Sequence, residues 1–415
     1  MSFRRYVPEA DLEDVMRIWR EIGWLQKRDD AREMMELFLE ASNEAWVAEL
    51  EGHAECLVST MNGEVHHQGT PLSLSVIAAV TTSRVARKQG MATRLTAHAL
   101  AQAASEGAAV AGLGMFEQGF YNRLGFGTGT VEHLYQLAPR QLRAPKLDRP
   151  PKRIEADQWR QIHACRTARL KRHGAINLSD PLTTRSEIVA YKGSFGLGFF
   201  DGPGGELSHH VWLRPVDGGV MEGPYMVMWL AFETYDQFLE LLSVLKSLDD
   251  QVHKLALIEP PAICLQDFLN TPTHYQQITE NSPFQMGARA SAFWQIRICD
   301  LPACLAKTSL SSAKDLAFNL SLHDPVEAHL GREQGWRGIS GDYVVRLGPE
   351  SSAHPGRREG LPQVEASVSA FSRLWFGVLP ATTLAISEQL WAPPQLLHQL
   401  DSQLCLPAPH VDWDI

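Results

Sequence analysis

The stretch Val80-Thr81-Thr82-Ser83-Arg84-Val85-Ala86-Arg87-Lys88-Gln89-Gly90-Met91-Ala92 constrains what this chain can fold into more than any other. A β-prone run over residues 72–82 leads into it. A helical pattern leaves it, with Ala92, Leu95, Ala99, Leu100 and Ala103 on its apolar face. Arg87, Gly90 and Ala92 thus stand where a strand hands over to a helix, at the spacing R-x-x-G-x-G/A. Amides in the first turn of a helix lack intrahelical partners and carry partial positive charge. Small residues at Gly90 and Ala92, with Met91 between them, let a diphosphate approach that backbone, and Arg87 and Lys88 add charge at the same end. The preceding strand, through Val80 and Thr82, can pair with the amides of an extended ligand arm as an added strand would. The spacing is not that of a dinucleotide fold, which needs G-x-G-x-x-G after an opening strand, nor of a P-loop, which needs GK[ST].

Around this motif the pattern reads helix, helix, three strands, helix, strand. Leu12, Val15, Ile18, Trp19 and Ile22 predict a helix over 11–24, and a second is expected near 32–39. Strands are expected at 45–50, 54–61 and 72–82, with a hairpin turn at Asn62-Gly63. Gly107 is placed to end the helix that Gly90 opens, and 108–113 reads as a buried strand. Pro145, Pro150 and Pro151 mark a linker over 142–152. Beyond it a hairpin at 196–212 precedes the unit strand 225–232, helix 235–248 and strand 254–259, with Thr234 as N-cap. Its strand-to-helix turn carries Phe232 and Tyr235 rather than glycine, so no diphosphate is expected there. A third region has strands near 293–298, 316–322, 343–347 and 363–368, then helices near 370–378, 381–389 and 394–404. The fold class is therefore α/β, with ranges 1–145, 152–291 and 292–415.

Length and composition agree. A chain of 415 residues needs more than one core, and 44% hydrophobic with 21% charged residues is globular composition. The net charge of −10 argues against nucleic acid as partner and suits a small cationic substrate. No run of ~18 apolar residues or secretory leader is read, so no membrane role is expected and a cytoplasmic location is. Six scattered cysteines without a CxxC, and no HExxH, give an expectation of no metal and of reduced thiols. His66-His67 and His209-His210 are not expected to hold one metal ion, because neighbours on a strand face opposite ways, and they are expected on the surface or in turns.

A second motif follows the last strand of the first region: Phe116-Glu117-Gln118-Gly119-Phe120-Tyr121-Asn122-Arg123-Leu124-Gly125-Phe126-Gly127. Tyr121 fits the Y-x-x-x-G-F element common at this point in GNAT acetyltransferases. With both motifs in hand, the whole chain resembles the enhanced-intracellular-survival (Eis-type) acetyltransferases. The pattern 316–322, His323-Asp324-Pro325 and Gly341-Asp342-Tyr343 resembles their C-terminal domain. The resemblance implies two tandem GNAT folds with splayed mixed sheets, the second degenerate, followed by a sterol-carrier-protein-like domain. It implies an N-acetyltransferase that uses acetyl-CoA as co-substrate and acts on an amine: an aminoglycoside, a polyamine or a lysine side chain. It implies Tyr121 as general acid, and the carboxylate of Ile415, reaching back to the first domain, as general base. It assigns cofactor contacts to Val80, Thr82, Arg87, Lys88, Gly90, Met91 and Ala92, and it implies a homo-oligomer, often a hexamer. Three positions differ from frequent family choices: Arg84 for proline, Phe116 for serine and Ile415 for an aromatic residue.

The chemistry follows from these roles. Attack on a thioester builds an oxyanion that an amide near 80–82 can stabilise. A phenol with a reference pKa of about 10 is protonated at neutral pH and can supply the leaving thiolate with a proton. A carboxylate with a reference pKa of about 3.5 becomes a stronger base when buried, or acts through water. Trp19 and Trp24 can line an amine pocket by cation–π contact, with Phe116 and Glu117 beside it, or they pack in a helix core, since Trp19 sits on the apolar stripe. Glu33, Glu36 and Glu117 can supply negative charge for a cationic substrate, against a default of solvated surface for each. Two other readings stay open: a lipid or hydrophobic-ligand binder with an inactive first domain, and a transferase of a larger acyl group.

Overall fold

In the computed structural model, which describes residues 2–25, 31–191, 193–216, 225–272, 285–311, 315–387 and 389–415, the N-terminal pattern becomes ten elements. They are β1 (Ser2–Arg5), α1 (Pro8–Glu21), α2 (Ala31–Ala41), β2 (Glu44–Leu50), β3 (His53–His67), β4 (Thr70–Thr82), α3 (Met91–Ser105), β5 (Val110–Gly114), α4 (Gln118–Asn122) and β6 (Gly127–Thr128). Pro8 takes the first turn of α1, where its missing N–H removes no helical bond. Buried Asp11 accepts from the Val7 N–H and pairs with Arg4, tying that turn to β1. Gly107, left-handed at φ 100°, follows the end of α3 as its sequence position implies.

The chain divides into two units. The first comprises Met1–Thr130, His173–Asp180 and Phe293–Ile415; the second comprises Val131–Arg172 and Pro181–Ala292. The first unit holds two sheets. One runs β1-β2-β3-β4-β5, strand Trp294–Ile298, then β6, with strand Ile176–Leu178 paired to β3. The strand expected to open the third region pairs antiparallel with β5 along its whole length, from Trp294↔Gly114 to Ile298↔Val110. It gives β5 an antiparallel neighbour on the side away from β4. The other sheet orders Ser352–Pro355, Gly341–Leu347, Leu316–His323, Gln363–Ser367 and Leu390–Trp391. The second unit is a sheet of Gly287–Ser291, Glu132–Leu137, Leu255–Ile258, Tyr225–Ala231, His209–Pro215, Phe195–Phe199 and Lys152–Ile154. Each sheet joins one parallel pair to antiparallel neighbours, so the fold is mixed α/β.

Two expectations are corrected. No turn forms at Asn62-Gly63: β3 runs through both, and the chain reverses at Gln68 and Gly69, with φ 50° and 86°. Gly63 is needed for another reason. A Cβ there would lie 2.2 Å from the Asn177 carbonyl oxygen of the strand that pairs alongside. The four histidines are buried rather than exposed. His67 stacks on Trp375 at 4.7 Å, and burial, then His173, pushes its imidazole down to about 4. Burial pushes His210 to about 3.

Hydrophobic patterning decides the layers of the first sheet. Leu95, Ala99 and Leu100 of α3 pack on Val58, Ile77, Ala111 and Leu113. Its other face, with Leu74, Val76, Val110 and Ile296, packs with Phe371, Trp375, Val411 and Trp413. Each fully buried Leu or Phe contributes about 1.5–3 kcal/mol relative to exposure.

Candidate active site

β4 and β5 run parallel but pair only from Leu74↔Val110 to Val76↔Gly112. Beyond that point, towards Thr82 and Gly114, the two strands have no paired residues. A bulge in β4 accompanies the parting. Leu57 pairs with Thr81 and Ser59 with Ala78, so Ala79 and Val80 together oppose Val58. Ala79 takes φ 54°, a left-handed conformation that a residue with a Cβ adopts only under constraint. A bulge re-aims its strand and leaves a residue outside the ladder. This is the segment from which an oxyanion-binding amide is expected.

The loop after β4 is fixed at its start. Ser83 donates its N–H to the Glu55 carbonyl, Arg84 donates its N–H to the Glu21 carboxylate at 2.7 Å, and the Arg84 guanidinium donates to the Glu21 carbonyl. Arg84, standing where a proline is frequent, thus clamps the loop to the end of α1. Further along, Lys88 and Gly90 are left-handed, at φ 59° and 74°. Gly90 is the N-cap of α3, and no side chain caps that end. A Cβ on Gly90 would meet nothing within 4 Å, so space lies open outside the turn. Arg87 and Lys88 are exposed beside it. In the second unit the helix Tyr235–Lys246 starts differently: Thr234 and Gln237 cap each other's backbone, and Phe232 is buried.

A cavity of about 890 Å³ joins this loop to a wall from the segments that follow α1 and β5. Val80, Thr82, Arg87, Lys88, Gly90, Met91 and Ala92 all line it, and so do Trp24, Phe116 and Glu117. The residue types suit a diphosphate at Gly90, where an uncapped helix end, open space and two cations meet. Trp19 does not line the cavity. It is buried, and its ring meets Trp24 edge-on at 5.5 Å and Phe38 at 5.3 Å. Exposed Trp24 stands 6.4 Å from exposed Phe116, whose ring faces that of Tyr121 at 6.1 Å. Tyr121, on α4, is 2% exposed and also touches Phe120 at 4.8 Å, one layer behind the lining. Burial, then the charge of Glu117, raises its phenol above the ordinary range, so it stays protonated at neutral pH. Glu33 and Glu36 are exposed on α2 and do not line the cavity.

The sequence reading missed Ile22, Thr81, Ala86, Thr93, Phe120 and Arg123 among the lining residues. Thr81, Ala86 and Thr93 lie inside or beside the first motif and could have been taken with it. Ile22 belongs to the apolar helical stripe of the sequence, and nothing in the pattern shows Arg123 facing inward.

Ile415 lies on the sheet rather than in the cavity lining. Its backbone oxygen would be 2.1 Å from a Cβ on Gly114, and its Cδ1 3.4 Å from one on Gly112. Ala111 and Leu113 face α3, so the tail crosses the opposite face of β5. Thr130 Oγ1 donates to the Pro409 carbonyl at 2.6 Å, His410 N–H to the His173 carbonyl, and Ile176 N–H to Asp412 Oδ1. Val411 and Trp413 are buried.

No helix of the described residues is long and apolar enough to cross a membrane. Among the described residues Asp201, His209 and Glu240 come together as metal ligands could, but the Arg149 guanidinium already bonds both carboxylates.

The family model of an acetyltransferase (GNAT) domain matches residues 4–129. No curated protein matches the sequence. Among solved structures, a protein of unknown function and probable N-acyltransferase from Enterococcus faecalis is similar with a TM-score of 0.78 at 15% identity, covering 100% of this chain and 99% of its own. A GCN5-related N-acetyltransferase from Anabaena variabilis has a TM-score of 0.76 at 13% identity, and Eis1 from Mycobacterium abscessus 0.76 at 15%; each covers 100% of both chains. At such identities the likeness is one of fold. The chain therefore carries, in residues 4–129, an acetyltransferase domain of the GNAT family.

Proposed function

We propose that this protein transfers the acetyl group of acetyl-CoA to the amine of a small cationic acceptor. The observation that carries the reading is the uncapped end of α3 at Gly90, opening on the same cavity as Trp24, Phe116 and Glu117. When bound, acetyl-CoA supplies an activated acetyl group and leaves as a thiol. In this reading the amides after Gly90, with Arg87 and Lys88, hold its diphosphate, and β4 at Val80 and Thr82 aligns its amide arm. A backbone amide beside the bulge at Ala79–Val80 would stabilise the oxyanion. Tyr121 gives its proton to the departing sulfur, and the residue-415 end of the tail takes the ammonium proton. Glu117 attracts the cation, and the Trp24 and Phe116 rings flank it.

Aminoglycosides, polyamines and lysine side chains are the acceptor classes to test. We read residues 292–415 as a sterol-carrier-protein-like domain that scaffolds the site, and the assembly as a homo-oligomer. The test is a transfer assay over these amines, reading free thiol, with acetyl-CoA and longer acyl-CoA donors in parallel. Amine-dependent thiol release from acetyl-CoA supports the proposal. Preference for a longer donor overturns the acetyl assignment, and no acetyl-CoA binding in a titration turns the reading to a ligand binder.

A further inference from the structure

The segment His323-Asp324-Pro325 has no role in the chemistry above, yet it ends inside the structure that carries Tyr121. Asp324 and Arg297 are an ion pair with both side chains fully buried. Arg297 Nη2 donates to Asp324 Oδ2 at 2.6 Å and its Nη1 to Oδ1 at 3.3 Å. The same Nη1 donates to the Leu124 carbonyl. Asp324 in turn accepts the N–H groups of Val326 and Ile339. The guanidinium also lies 5.1 Å from the Trp336 ring and 6.0 Å from Phe126. A buried pair of charges is a poor source of stability, because desolvation consumes most of what attraction returns. Its position is the informative part. Leu124 N–H and Phe126 N–H both donate to the Tyr121 carbonyl, at 2.9 and 3.3 Å, and Asn122 Nδ2 donates to the Phe126 carbonyl. The turn that closes α4 therefore hangs on Tyr121 at one end and on Arg297 at the other. Gly125 sits at its corner with φ 80°, where a Cβ would lie 2.8 Å from Arg297 Nη1. This gives the glycine of the Y-x-x-x-G-F element two reasons in this chain: a left-handed backbone and the approach of the guanidinium.

We propose that Arg297 and Asp324 are positioning residues: the pair fixes the 121–126 turn so that the Tyr121 ring is held against Phe116 and Phe120 at the cavity wall. The inference rests on the reading of Tyr121 as proton donor. It links two elements far from Tyr121 in sequence, β5's neighbour Trp294–Ile298 and the end of strand Leu316–His323, to the rate of transfer rather than to cofactor binding.

The test replaces both charges together, R297M with D324L, since apolar substitution of a whole buried pair is often tolerated where loss of one partner is not. Thermal midpoint, KM for acetyl-CoA and kcat are measured beside wild type and Tyr121→Phe. The expected result is a folded double variant with KM for acetyl-CoA within about twofold and kcat reduced roughly tenfold or more, as for loss of alignment in proton transfer. A folded double variant with wild-type kcat overturns the proposal, and so does a rise in KM with kcat unchanged. If the double variant does not fold, Gly125→Ala presses on the same junction with both charges kept, and the same split in kcat and KM is expected. Wild-type kcat in Gly125→Ala then overturns it. Wild-type kcat in Tyr121→Phe refutes the proton-donor reading itself, and this inference with it.

Discussion

Substituting Gly114 by alanine tests whether the tail has a working position on β5. The added Cβ would stand 2.1 Å from the Ile415 backbone oxygen, closer than real Cβ contacts come. The obstacle is backbone, not the end of a flexible side chain. The strand is held from one side by Trp294–Ile298, so the tail must yield. Its oxygen has to retreat by roughly 1 Å, and a displacement of that size at a reacting group can lower a rate about 10²-fold. Stability moves less: overpacking costs about 1–3 kcal/mol, offset by about 0.5–1 kcal/mol from replacing a strand glycine. Gly112→Ala is the control. Its Cβ would meet Ile415 Cδ1 at 3.4 Å and Leu74 Cδ1 at 3.5 Å, ordinary contacts. The assay is steady-state thiol release with saturating acetyl-CoA and varied amine, beside thermal denaturation of both variants. The expected outcome is a large loss in Gly114→Ala and little change in Gly112→Ala. Equal rates in the two, with both folded, would refute the idea that the tail acts in catalysis from this position.

Tyr121→Phe should lower kcat about 10²-fold or more while acetyl-CoA still binds, checked by thiol release and titration; an unchanged kcat removes Tyr121 from the chemistry. Removing Asp414 and Ile415 should abolish transfer and leave the thermal transition in place; retained turnover would take the tail out of the mechanism. Arg87→Ala with Lys88→Ala should raise KM for acetyl-CoA roughly tenfold or more, since each charged hydrogen bond contributes about 1.5–3 kcal/mol, and an unmoved KM argues against a diphosphate at Gly90. His67 is held neutral, its pKa lowered from 6.5 to about 4 by burial. The unfolded chain therefore binds the proton first, so stability is full above pH 6.5 and falls as pH drops towards 4. The total is about 3 kcal/mol at roughly 1.4 kcal/mol per pH unit. Urea denaturation at pH 7 and 4.5 should show this drop shrinking in His67→Gln; an equal drop would assign it to other groups.

The first motif was readable because its physics is local. Strand, glycine and helix lie within thirteen residues, and the left-handed Gly90 and uncapped α3 need only their own neighbourhood. Thr234 as a side-chain cap was readable for the same reason. The reading failed where a distant strand decided. Asn62-Gly63 carries a hairpin signal, but the sheet holds it straight and uses Gly63 to admit Asn177. His66-His67 looks polar until Trp375 and Phe376 are brought against the His67 ring.

Residue order alone dictates a helix whose N-terminal amides stay open at Gly90, next to a core strand. It also places a phenol four residues before Gly125. It cannot say that strand Trp294–Ile298 lies beside β5, that Asp324 reaches a guanidinium under the tyrosine's turn, or that Gly114 makes room for residue 415. Those depend on contacts between segments some 27 to 300 residues apart, whose closure is decided by packing of the whole first unit rather than by the preference of any one stretch.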